Sequence, residues 1–397
     1  MFLPTPTMAK KARVGPLRPT SAASNTPPTH VDLALYGIPD LQEGETVRAD
    51  NARVLLFHST VLPSSDKILK KKFGEDNVDS VKDRETEKWW FEGIVPEKVR
   101  AKDGKLAEIY SLIVVGDELR PTASRAMSCI RKYWNGDWHT TRVLFTPHYE
   151  QHTLFTVGRN LNIFQPQDGN TAMLRGSMRR IDYMYITNAE EEEEKESIGI
   201  VAFGAIEIGP AALLKRHKPL SSICPSKDHK KYKDVRCAMQ IPDYDYDDHT
   251  FHTLINGPTQ EAIFTGEERE YSMITIQKTK RTATAEVPLA LNCKVDDGKL
   301  DVVVLLKQTA SKIAKHMIRA NEIEDSDDFV NRWYGGQSKV LYVKPGEIVL
   351  TLAEEQEIGI DGKLYKCGPE GLLSQKIRIK CFTGEEGFLA YSLPNDA

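Results

Sequence analysis

The sequence predicts an α/β + β architecture: an N-terminal α/β domain built on a parallel sheet, followed by a C-terminal antiparallel β-sandwich. Three observations carry this. The chain has 397 residues, too many for one ordinary core and enough for two domains plus a tail. Its first half alternates buried-strand and helix patterns, the order that produces parallel sheets. Beyond about residue 170, short strands recur between turn signals with few helices among them.

Residues 1–50 read as leader and linker, 51–168 as the α/β domain and 169–397 as the sandwich domain. Residues 1–31 hold Lys10, Lys11, Arg13 and Arg18, many hydroxyl residues and no acid before Asp32. That composition suggests a mitochondrial import segment, although its six prolines leave no clear amphipathic helix. The first strand is the apolar run at 53–57. A helix over 65–73 follows, with Ser64-Ser65-Asp66 as cap residues. The run 109–115 forms a second buried strand, ended by Gly116-Asp117, and a helix over 121–133 carries Pro121 near its first turn. In a parallel sheet, ligands sit at the carboxyl ends of the strands, so chemistry is expected in the loop after Val115.

In the second half, strands are expected at 181–186, 198–208, 270–277, 284–292, 300–307, 339–343, 348–352 and 376–382, with helix mainly at 211–216 and within 308–333. Asp296-Asp297-Gly298-Lys299 and Asp361-Gly362-Lys363 are turns, because Asp-Gly supplies the left-handed backbone that tight hairpins require.

Composition excludes several function classes. The chain is 40% hydrophobic and 28% charged, a globular balance, and its longest apolar runs, such as 302–306, are strand-sized. No membrane span is expected, and any membrane contact would be peripheral. The net charge of −4 argues against a dedicated nucleic-acid binder, although local basic patches such as Lys70-Lys71-Lys72 occur. The six cysteines contain no Cys-x-x-Cys pair, which predicts free thiols in a reducing compartment. Neither a Gly-x-Ser-x-Gly elbow nor a Walker A motif is present. His148 and His152 are four apart, but Pro147 and strand-like flanks deny them the helix a zinc pair needs. Asp243-Tyr244-Asp245-Tyr246-Asp247-Asp248 lacks the glycine and terminal glutamate of a calcium loop and reads as a solvated acidic loop, as does the run Glu190 to Glu194. Trp333-Tyr334 are core residues or a partner anchor.

The stretch Val295-Asp296-Asp297-Gly298-Lys299-Leu300-Asp301-Val302-Val303-Val304, followed by Ile358-Gly359-Ile360-Asp361-Gly362-Lys363, resembles two segments of the diacylglycerol kinase and sphingosine kinase family. The resemblance spans about residues 51–390 and is strongest at 290–365. It implies a nucleotide-binding-like first domain and a β-sandwich second domain. It also implies that Asp361 stands where the family activates the lipid hydroxyl, and that Asp296, Asp297 and Asp301 mark a magnesium position.

The departures from that family are informative. Its phosphate loop reads Gly-Gly-Asp-Gly-Thr, where this chain has Val115-Gly116-Asp117-Glu118-Leu119. Glycines there let backbone amides approach phosphates. Glu118 instead adds a negative charge, which at about 4 Å repels another by about 1 kcal/mol even in water. His58-Ser59-Thr60 replaces an Asn-Pro segment, Gly158-Arg159-Asn160-Leu161-Asn162 answers a Gly-Thr-Gly-Asn-Asp loop, and Lys363 replaces the second carboxylate beside Asp361. The expectation is therefore a degenerate, non-catalytic member without cofactor or metal. Gly116, Asp117 and Asp361 would be vestiges of its nucleotide and catalytic sites, and Asp296, Asp297 and Asp301 of its metal site. Its expected role is an accessory subunit of a large mitochondrial complex, ATP synthase first and the mitochondrial ribosome next, in the matrix or on the matrix face of the inner membrane. It would contact protein subunits, with peripheral lipid contact and no sequence-specific nucleic acid. The alternatives are an active divergent ATP-dependent lipid kinase using Asp117 and Asp361, and a lipid-binding module without catalysis.

Overall fold

The computed structural model describes residues 52–57, 71, 75, 78–81, 111–117, 124, 127–128, 142–146, 157–164, 168–169, 171–172, 177–189, 199–209, 234–242, 263–280, 290, 293–307 and 340–394. Their strands form two sheets, a small mixed one and a large antiparallel one.

The small sheet begins as expected. Strands β1 (Ala52–Phe57), β2 (Val78–Val81), β3 (Ser111–Asp117) and β4 (Arg142–Thr146) lie in the order β2-β1-β3-β4 and are all parallel. Val143, Leu144 and Phe145 are all buried, the two-sided burial of a parallel strand. The sheet then departs from expectation. Its next strand is the last of the chain, β17 (Phe388–Tyr391), parallel to β4, and its edge is β5 (Met178–Ile181), antiparallel to β17. The sheet is therefore mixed, not parallel, because two strands from the second half of the chain complete it.

One further correction concerns the segment read as a loop. Gly116 and Asp117 are the last two residues of β3 and pair with Phe145 and Thr146. Helical backbone at Ser124, Met127 and Ser128 follows, within the helix expected over 121–133.

The large sheet has eleven strands: β6 (Tyr183–Asn188), β7 (Ile200–Ala202), β8 (Ala205–Ile208), β9 (Val235–Gln240), β10 (Thr265–Gln277), β11 (Asp301–Leu306), β12 (Val340–Val343), β13 (Glu347–Leu352), β14 (Gln356–Ile360), β15 (Lys363–Cys367) and β16 (Lys376–Phe382). Their main path runs β15-β14-β8-β10-β9-β13-β16-β6-β7, with β11 and β12 branching from β10. A sandwich of two separate sheets was expected, whereas the strands form one continuous sheet curled around its own core. The cause is β10, whose 13 residues are long enough to serve both halves. Its first part pairs with β9 and its last part with β8, while β11 runs along the opposite edge. Register shifts at 265/268 and 271/273 bend it, as bulges do. One face of nearly every strand feeds a single apolar cluster, including Ile206, Ile274, Val302, Leu350 and Ile379.

The expected strand 181–186 breaks at Asp182, which separates β5 in one sheet from β6 in the other. Strands β2, β9, β14, β15 and β17 were not anticipated. The leader, Lys70 and Lys72, His58-Ser59-Thr60, Glu118, His148 and His152, the run Glu190 to Glu194, the acidic loop from Asp243, the helices of 211–216 and 308–333, Trp333-Tyr334 and most of the expected strand 284–292 lie outside the described residues.

Because β17 sits between β4 and β5, truncation before Phe388 removes ladders on both sides and three buried side chains, Phe388, Ala390 and Tyr391. At about 1 kcal/mol per backbone hydrogen bond, the loss is expected to exceed about 3 kcal/mol. A urea unfolding curve checks this, and an unchanged midpoint would contradict the topology.

Candidate functional site

The site grows from the hairpin between β14 and β15. Asp361 and Gly362 both have positive φ, at 46° and 76°, the backbone of a type I′ turn. The turn holds the Asp361 carboxylate, only 9% exposed, against the link between β7 and β8. There it accepts three main-chain N–H groups: Phe203 at 2.9 Å on Oδ2, and Gly204 at 2.8 Å and Ala205 at 3.0 Å on Oδ1. The Asp361 N–H returns a bond to the Ala205 carbonyl at 2.9 Å. A Cβ at position 204 would stand 2.9 Å from Asp361 Oδ1, so this close approach requires glycine.

A fourth donor comes from the first half of the chain. Ser124 Oγ donates to Asp361 Oδ2, and Ser128 Oγ donates to the Ser124 carbonyl at 2.7 Å while accepting the Val201 N–H at 2.8 Å. Aromatic rings close the same junction. Phe145 of β4 meets Phe203 edge-on at 5.1 Å, and Phe388 of β17 packs on Phe203 and Tyr183. The segment after β3 and the Asp-Gly turn are thus brought together, although more than two hundred residues separate them in sequence.

Beside this junction lies the acidic turn. Lys278, just after β10, is 1% exposed, and its Nζ donates to Asp182 Oδ2 at 2.8 Å, Asp297 Oδ1 at 2.9 Å and the Lys299 carbonyl at 2.6 Å. Lys344 Nζ donates to Asp297 Oδ2 at 2.6 Å and approaches Asp301 Oδ1 at 3.6 Å. The Tyr342 hydroxyl donates to Asp301, and Asp296 pairs with Arg179 at 2.5 Å on the surface. The Lys278 N–H also donates to the Gly204 carbonyl at 2.8 Å, which joins this network to the loop that grips Asp361.

Burial works against the Lys278 ammonium, but Cys381 and the carboxylates of Asp182 and Asp297 more than offset it, raising the pKa above the ordinary lysine value. Burial pushes Asp297 up, yet Lys344 and Lys278 bring its carboxyl below the usual aspartate value. Asp301 is pushed up by burial, with Lys344, Tyr342 and Cys293 only partly opposing this. The donor set therefore does not fit a magnesium ion: Asp297 and Asp301 already face two ammonium groups, and a divalent cation there would meet like charge. Among the described residues, no group of three or more acids, histidines or cysteines has metal-site geometry.

Similar solved structures come from Bacillus anthracis str. Sterne, one named a diacylglycerol kinase and two named putative diacylglycerol kinases. They align over 87% of this chain and 98% of theirs, with TM-scores of 0.51, 0.52 and 0.53 at 13%, 14% and 13% identity. The chain has a diacylglycerol-kinase-like fold. No protein-family model matches the sequence, and no curated protein matches it. At such identity the likeness concerns the fold alone.

Within this diacylglycerol-kinase-like fold, two of the remaining expected positions, Asn162 and Lys363, have structural partners. Gly158-Arg159-Asn160-Leu161-Asn162 forms a tight turn around α1 (Val157–Asn160), and Asn162 is left-handed at φ 60°. Asn162 Nδ2 donates to the Leu393 carbonyl at 2.8 Å, and the Leu393 N–H donates to Leu161 at 3.0 Å, so this loop secures the chain's tail. Lys363 lies with Nζ 4.8 Å from the centre of the Tyr365 ring. Asp117 is the last residue of β3. Sequence reading missed Ser124, Asp182, Lys278 and Lys344. A signal existed for Asp182, a charge set between the apolar residues Ile181 and Tyr183-Met184.

Asp361→Ala leaves three main-chain donors without an acceptor and is expected to cost about 3 kcal/mol or more. Asp361→Asn, which keeps one oxygen and suits a left-handed backbone, should cost less. Chemical denaturation of both variants checks the ranking.

Because Asp297 is held low, its ionisation favours folding above about pH 4, and that contribution disappears as pH falls through its folded-state value. Asp297→Asn is therefore expected to flatten the acid limb of stability against pH, read as urea midpoints from pH 7 downward. An unaltered acid limb would remove the ion pair from the account of stability.

Proposed function

We propose that this protein is a non-catalytic, degenerate member of the lipid-kinase-like fold, serving as a structural accessory subunit of a larger assembly. The observation that carries the reading is the Asp361 carboxylate. Its two oxygens receive four protein donors, three of them main-chain amides. A base that must take a proton from a substrate hydroxyl needs an oxygen within reach of that proton. Here both oxygens serve the fold. Lys363 in place of a second carboxylate, and the two ammonium groups in the acidic turn, support the same reading.

The finer reading of the fold, a nucleotide-binding-like α/β unit followed by a β-rich unit, is part of this proposal. So is the address. The acid-poor, basic leader supports mitochondrial import, placing the protein in the matrix or on the matrix face of the inner membrane. ATP synthase is the first candidate assembly and the mitochondrial ribosome the second, with contacts to protein subunits and peripheral lipid.

The test is the native size of the endogenous protein in gently solubilised mitochondria. Co-migration with a far larger complex is the expected result. Migration near the mass of one chain, together with magnesium-ATP-dependent lipid phosphorylation abolished by Asp361→Asn, would replace the proposal with a divergent lipid kinase.

A further inference from the structure

The large sheet hides a second polar layer, on the face turned away from its apolar cluster. Ile274 and Ile276 of β10 point into that cluster. The two-residue period of a strand therefore sends Thr275 and Gln277 to the opposite face, and both are 0% exposed. Asp301 of β11 stands directly across from Gln277, and Glu207 of β8 directly across from Thr275. Tyr342 of β12 pairs with Val303 of β11 on the same face and donates to Asp301 Oδ1. Four adjacent strands thus place polar groups at one depth inside the protein.

Among the described residues, several of these atoms have no hydrogen-bond partner: Thr275 Oγ1, Gln277 Nε2, Gln277 Oε1 and Asp301 Oδ2. Native proteins rarely leave such groups unmatched, and a cluster of four is outside ordinary tolerance. Their chemistry defines what would satisfy them. The amide offers both donors and an acceptor, the hydroxyl does either, and the carboxylate oxygen accepts. An anion would meet Asp301, and a cation would meet Lys344, whose Nζ lies 3.6 Å from the same carboxylate. Thr275, Gln277 and Asp301 are each 0% exposed, which suits a small occupant better than a bulky organic molecule. Cross-strand neighbours lie about 5 Å apart at Cβ, and residues two apart on a strand about 7 Å. Both spans suit a small bridging molecule that donates and accepts.

We propose that the polar face of β8, β10, β11 and β12 holds a small group of internal water molecules joining Thr275, Gln277 and Asp301 Oδ2. Such waters characteristically make about three hydrogen bonds and belong to the fold as side chains do. They complete the polar layer without adding charge beside Asp301 and Lys344.

Shape-matched substitution in the full-length protein gives a test with opposite signs. With bridging water, Thr275→Val and Gln277→Leu each take a partner from the network, and each is expected to lower the folding constant about tenfold. Without it, each removes an unsatisfied buried group, so the urea midpoint stays level or rises, which overturns the proposal. A crystal structure supplies the independent readout. Ordered water within hydrogen-bonding distance of the Gln277 amide and Asp301 Oδ2 supports it. A dry layer, a metal ion, or another side chain filling those positions overturns it even if the variants are destabilised.

Discussion

The arrangement depends on one ammonium group buried where two sheets separate. Lys278 is 1% exposed, and a charge at that depth is tolerated only if its hydrogen bonds are met. Its three acceptors come from two distant parts of the chain: Asp182 at the crossover between β5 and β6, and the acidic turn, which supplies Asp297 and the Lys299 carbonyl. Removing one partner of a buried pair typically costs about 3–5 kcal/mol, because the other charge stays behind. Each contact thereby fixes the position of the other two. The crossover needs this restraint, since Ile181 belongs to one sheet and Tyr183 to the other with one residue between them.

The consequence for the acidic turn is chemical. Four carboxylates around a turn would ordinarily attract a cation, and here the protein supplies the cations itself. Lys278 and Lys344 face Asp182, Asp297 and Asp301, while Arg179 takes Asp296 at the surface. Gly298 contributes through its backbone, donating its N–H to Asp182 at 2.7 Å. The same economy governs Asp361, whose carboxylate joins the β14–β15 turn, the β7–β8 link and Ser124 through hydrogen bonds that hold parts distant in sequence. Lys278, Asp297 and Asp361 each join segments that lie far apart in sequence.

The two sheets are also interlaced by the path of the chain. The last strand returns to lie between β4 and β5, and the tail beyond it is held by the turn at 158–162. The Phe145, Phe203, Phe388 and Tyr183 rings fill the junction between sheets. Separating the halves would expose these rings and break hydrogen bonds at both Ser124 and Ser128. The large sheet is closed by the length of β10, a strand that pairs with different neighbours at its two ends.

The sequence by itself determined the local elements whose signals are local. The apolar runs near 53–57 and 109–115, the β-branched run in β11 and the two Asp-Gly turns are legible because strand burial and left-handed turns select residue types directly. The resemblance at 290–365 likewise marked the stretch that carries the acidic turn and Asp361. Only the tertiary structure decided which strands are neighbours, since apolar alternation specifies a buried face and not the partner across it. That is why β17 gave no sign of joining the first sheet, and why one curled sheet could not be told from a sandwich. Tertiary structure also decided the roles of the charged residues. Asp297 in sequence suits a metal or a turn, and the fold places Lys278 and Lys344 beside it. The reason is physical: the role of a buried charge depends on the groups within a few ångströms of it, and here those groups lie far away along the chain.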